Sequence, residues 1–201
     1  MAQDHQVELF SIGTELQKFV KHRPQFWDSL IQEVRAVYHG DLTYSPNWDE
    51  YKATPFWSDL DYIGVDAYFS LSKKKTPKVK QLKKKWDGIK RELSELHKTY
   101  ERSIILTEYG YRNIAYAGHH PWEHINQRDT APDDLGQQHL FIALYESLWQ
   151  EPWIAGGFLW QWFSSPVEKG NTDFTVQNKP ALQVVRRWYT QGSIDEKGNR
   201  R

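Results

Sequence analysis

Cysteine is absent from this 201-residue chain, so a disulfide framework is excluded. Net charge is absent as well: 26 Lys and Arg face 26 Asp and Glu. No global field therefore steers a polyanionic partner, which removes the whole-protein case for nucleic acid or an anionic membrane surface. No run is apolar enough to span a bilayer. The opening residues, MAQDHQVELF, show no signal peptide, lacking both its basic start and its long apolar segment. The chain as given reads as soluble and carries no address, so its compartment stays unknown. Internal repeats and interdomain linkers are also missing. Residues 1–192 are expected to form one unit, followed by a polar tail at 193–201.

Aromatic residues are what the sequence has in excess. Ten Trp, eleven Tyr and nine Phe make up 15% of a hydrophilic chain, more than core filling alone explains. Binding faces for sugars are one use of such rings.

Short apolar runs alternate with longer amphipathic stretches. VELFSIG (7–13) precedes a helix expected from Pro24, at the position where a first turn tolerates proline, to Tyr38. DLTYS (41–45) and DYIGVDAYF (61–69) read as strands. A long helix is expected over 77–100, where Val79, Leu82, Trp86, Ile89, Leu93 and Leu96 recur at three- and four-residue steps. SIILT (103–107) is the next strand, and a helix over 135–150 directs Leu140, Ile142, Leu144 and Leu148 inward. AGGFLWQWF (155–163) and a closing helix over 180–189 complete the order. Apolar strands alternating with helices indicate an α/β fold with a parallel sheet buried on both faces.

The chemically useful residues collect at the C-terminal ends of these strands: Thr14 and Glu15, Asn47 and Trp48, Asp66 and Tyr68, Glu108 and Tyr109, Trp160 and Trp162. Parallel α/β barrels build their sites on that edge. Two glutamates there, Glu15 and Glu108, suit glycoside hydrolysis, in which one carboxylic acid protonates the leaving oxygen and a second carboxylate attacks the anomeric carbon or activates water. Tyr68 and Tyr109 are the candidate donors that would keep a nucleophile ionised.

FSIGTEL (10–16), LTYSPNW (42–48), DYIGVDAYF (61–69), ILTEYGYR (105–112), PW (121–122) and IAGGFLWQWF (154–163) resemble, in order, the motifs of glycoside hydrolase family 113. The resemblance implies a retaining β-mannanase of the large (β/α)8 clan, with its acid/base and nucleophile on strands four and seven. Glu15 would be the acid/base and Glu108 the nucleophile. Trp160 or Trp162 would be the aromatic platform, Asn47, Trp48 and Tyr68 would line the cleft, and Thr14 stands where the wider clan usually carries Asn. The chain would correspond to strands four to eight, an incomplete (β/α)8 TIM barrel. Its edges would need a second copy or a missing N-terminal half. The substrate would be β-1,4-mannan or a related β-linked polysaccharide, and no cofactor is implied. The alternative is a catalytically silent barrel fragment that still holds glycan.

Other features have plainer explanations. HHPWEH (119–124) offers His120, Glu123 and His124, but Pro121 opposes a helical ligand pair and no cysteine supports a zinc site, so no metal is expected. The lysine-rich run KKKTPKVKQLKKKW (73–86) would be the wet face of the long helix, so no nucleic-acid partner is expected. Asp66 is expected to make a structural hydrogen bond inside the barrel. Packing explains Trp160 and Trp162 as well as a platform does.

Overall fold

The computed structural model describes residues 1–123 and 131–191; the tail expected at 193–201 and His124 lie outside the described residues. Strands and helices alternate as β1 (Leu9–Thr14), α1 (Gln17–His22), α2 (Pro24–Val37), β2 (Asp41–Ser45), β3 (Tyr62–Asp66), α3 (Val79–Tyr100), β4 (Ser103–Tyr109), α4 (Asp134–Leu148), β5 (Ile154–Leu159) and α5 (Ala181–Gln191). Two 3-10 turns, Tyr51–Ala53 and Trp57–Asp59, fill the β2–β3 connection. Helix α1 departs from the sequence reading. It buries only Val20, and a single anchor leaves no periodic pattern to read. Strand β5 stops at Leu159 instead of continuing to residue 163.

All strand pairs are parallel. β1 pairs with β2, and β3, β4 and β5 form a second ladder in that order. The ladders meet between β2 and β3, where the Asp61 amide donates to the Leu42 carbonyl at 3.0 Å and the Asp66 amide donates to the Pro46 carbonyl at 2.9 Å. This junction depends on Gly64, since a β-carbon there would lie 2.0 Å from the Tyr44 carbonyl oxygen. Only glycine permits that approach.

The helices supply the cover. α3 buries Leu82, Trp86, Ile89 and Leu93, and its lysines face outward, where Lys83 pairs with Glu146 and Lys90 with Glu151. Asp133 caps α4 by accepting the Gly136 amide at 2.9 Å. α4 is buried almost all round, and its Tyr145 ring stacks on Trp188 of α5. Phe141 and Tyr145 occupy the core positions of α4, while Ile142, expected inward, is only half-buried. No helix of the described residues is long and apolar enough to cross a membrane.

Among the described residues the array does not close. β1 pairs only with β2, and β5 only with β4. These two outer strands leave Phe10 and Phe158 exposed, whereas β2 and β3 are buried over most of their length.

Candidate active site

Register places the proposed site on one rim. Thr14 pairs with Ser45, Asn47 bridges to Asp66, Asp66 pairs with Glu108, and Tyr109 pairs with Leu159. Residues at or just past these positions, Glu15, Asn47, Trp48, Tyr68, Glu108 and Trp160, therefore emerge along the same C-terminal edge.

Glu15 sits where β1 ends in a left-handed residue, with φ of 53°. Non-glycine side chains rarely adopt that conformation, so neighbours must hold it. Its own amide donates to the Ser45 carbonyl at 2.8 Å, and the next amide, Leu16, donates to the Tyr44 hydroxyl at 2.8 Å. Partial burial raises the Glu15 carboxyl above the usual carboxylate range, and the charge of Glu108 raises it further. The Asn47 side chain works against both by favouring the charged form.

Glu108 is half-buried near the end of β4 and accepts the Tyr68 hydroxyl at 2.7 Å. Burial first, and then that bond, push the Tyr68 hydroxyl above its ordinary range, so Tyr68 remains a donor. The Tyr68 ring packs edge-on against Phe174, and the guanidinium of Arg112 lies over the Phe174 ring, 4.6 Å from its centroid. Phe174 lies in the loop after β5, where no sequence pattern singles it out.

Tyr109 does not join this arrangement. Adjacent strand residues point to opposite faces, and Tyr109 turns into the core, where its hydroxyl meets those of Tyr145 at 2.8 Å and Tyr189 at 2.9 Å. Asp66 is fully buried and accepts the Thr107 hydroxyl at 2.7 Å. That is the structural bond expected of it, although Thr107 carried no sequence signal beyond lying next to Glu108.

The aromatic residues divide. Trp48 stacks on Trp122 at 4.7 Å and meets Phe69 edge-on, so it belongs to a wall at the β2 side of the rim. Trp160 and Trp162 lie past the end of β5, 44% and 59% exposed. The Trp160 amide still donates to the Tyr109 carbonyl at 2.9 Å, and the Trp160–Gln161 peptide is cis. Because β5 ends at Leu159, strand alternation does not set where Trp162 points. Thr14 is exposed at the rim beside Ser45. His120 bonds Glu123 at 2.6 Å, and among the described residues no cluster of three or more His, Cys, Asp or Glu could hold a metal.

Residues 1–179 match Glycoside Hydrolase Family 113. Among solved structures, the GH113 β-mannanase of Alicyclobacillus acidocaldarius is 23% identical, with a TM-score of 0.79 over 94% of this chain and 57% of its own. A GH113 β-1,4-mannanase complex is 22% identical, with a TM-score of 0.80 over 94% of this chain and 58% of its own. A β-glucuronidase of Faecalibacterium prausnitzii is 15% identical, with a TM-score of 0.65 over 94% of this chain and 32% of its own. At these identities the likeness shows the fold, an α/β arrangement like that of the GH113 TIM barrels. The chain spans under three fifths of the length of the matched mannanases. No curated protein sequence matches it.

Proposed function

This chain belongs to glycoside hydrolase family 113, and from that membership we propose that it cleaves β-1,4-mannan, or a related β-linked polysaccharide, with retention at the anomeric carbon. The observation that carries the reading is the pairing of two unlike carboxyl groups on one rim. Partial desolvation and the charge of Glu108 raise the Glu15 carboxyl above its ordinary range, toward the acid form. Glu108 accepts a hydrogen bond from the Tyr68 hydroxyl at 2.7 Å. In this reading Glu108 attacks the anomeric carbon while Glu15 protonates the departing glycosidic oxygen, and Glu15 then takes a proton from the water that releases the sugar from Glu108. Asn47, Trp48, Thr14 and Tyr68 line the cleft, and Trp160 or Trp162 is the stacking platform.

Residues 1–192 are taken as one portion of a barrel whose β1 to β5 correspond to strands four to eight. Because β1 and β5 each have one unpaired edge among the described residues, we propose that a second copy or a missing N-terminal half covers them. A silent, glycan-holding fragment is the second reading, favoured by the exposure of Trp160 and Trp162.

Reducing-sugar release from β-mannan, cellulose and xylan, run beside Glu108→Ala, separates the two. Release from one polymer that vanishes in the variant is the expected result, with the β-anomer appearing first in the product. Equal rates for the two proteins would leave glycan holding as the function of this chain.

A further inference from the structure

Three carboxyl groups, Glu15, Asp66 and Glu108, act on one another at the rim, where Asp49 also acts on Glu15, and the proposed reaction uses two of the three. The third, Asp66, is 0% exposed. It lies between the elements that carry the others, bridged to Asn47 on one side and paired with Glu108 on the other. One of its oxygens accepts the Thr107 hydroxyl at 2.7 Å, and Oδ2 has no hydrogen-bond partner. An ionised carboxylate offers about four acceptor positions. Burying it with a single side-chain donor and one bare oxygen is costly, whereas the acid form needs fewer donors.

The groups around Asp66 act in the same direction. Glu108 on β4 and Glu15 after β1 are acidic, and both oppose a charge on Asp66. Tyr68 after β3 and Tyr44 on β2 are hydroxyls that burial keeps protonated. The Thr107 bond alone favours the charged form. We propose that Asp66 is a positioning residue which the fold holds as a neutral carboxylic acid up to about neutral pH, so that Asp66 adds no charge beside the Glu15–Glu108 pair. Burial accordingly pushes its pKa up to about 7, with the two glutamates adding to the effect. The consequence for hydrolysis rests on the glycosidase reading: a fixed second charge beside Glu108 would oppose the ionisation that a nucleophile requires.

The test needs no substrate, so it is independent of whether the chain hydrolyses mannan. Carbon-13 titration of the aspartate carboxyls in the full chain, beside Asp66→Asn, identifies Asp66 as the resonance missing from the variant. It is expected to titrate near 7, and its midpoint should fall by about one unit in Glu108→Gln and by less in Glu15→Gln. A midpoint near the ordinary value of about 4, or one that neither glutamine variant moves, would overturn the proposal. Should Asp66→Asn fail to fold, Thr107→Val is read instead: loss of the donor raises that midpoint if the proposal holds, and an unchanged or lowered midpoint counts against it.

Discussion

A single hydroxyl ties the proposed nucleophile to the strand beside it. Tyr68→Phe removes the 2.7 Å bond to Glu108 while keeping the ring against Phe174. A hydrogen bond to a charged group contributes about 1.5–3 kcal/mol, so kcat/KM on β-mannan is expected to fall by about ten- to a hundredfold. An unchanged rate would remove Tyr68 from the reaction. Asp66 makes its own prediction through pH. Its folded pKa, about 7, lies above the unfolded value, so the folded chain keeps a proton that the unfolded chain releases near pH 4. Stability from this group is full below about pH 4 and is lost as pH rises through about 7, by an amount on the order of a few kcal/mol. Asp66→Asn is neutral at every pH. In urea unfolding its stability relative to wild type should rise between pH 4 and 7 and then level off, and parallel curves would sink the idea.

At the scale of elements, two glycines separate close approach from helix propensity. Gly64→Ala drives a β-carbon to 2.0 Å from the Tyr44 carbonyl, which pries β3 from β2 and so parts Asp66 from Asn47. A loss of roughly 3 kcal/mol is expected in denaturant unfolding, at the upper end for overpacking. Gly88→Ala on α3 meets nothing within 4 Å and should stabilise the chain by about 0.5–1 kcal/mol. The two variants should therefore shift the unfolding midpoint in opposite directions. Much of this layer was legible in the sequence, because α2 and α3 repeat their apolar residues at helical steps and the strands are short apolar runs bounded by polar sequence. Details set by tertiary contact were not legible. The left-handed turn at Glu15 depends on Tyr44 and Ser45 some thirty residues away, and β5 stops short of Trp162 although its residues still read as strand. Of the candidate site, the carboxyl pair and Tyr68 followed from their places at strand ends. Thr107 and Phe174 did not, since a threonine inside a strand and a loop phenylalanine look alike with or without a role.

At the scale of the whole molecule, the two ends of the strand array govern behaviour. β1 and β5 each have one ladder partner among the described residues, and an unpaired strand edge is a template for further pairing. Phe158 on β5 is 58% exposed, an apolar ring left beside such an edge. Burying it would contribute about 1.5–3 kcal/mol for that side chain, to be added to the ladder bonds that pairing along the edge would form, against the cost of association. Sedimentation equilibrium is therefore expected to show a concentration-dependent rise in mass, and Phe158→Lys, which places charge on the edge strand, should move the equilibrium toward monomer. If a second copy also completes the rim, mannan hydrolysis should rise faster than linearly with protein concentration below the association midpoint. If the chain stays monomeric throughout, the proposed correspondence to strands four to eight predicts that a polypeptide carrying strands one to three of the barrel, added in trans, raises the rate where added copies of this chain do not.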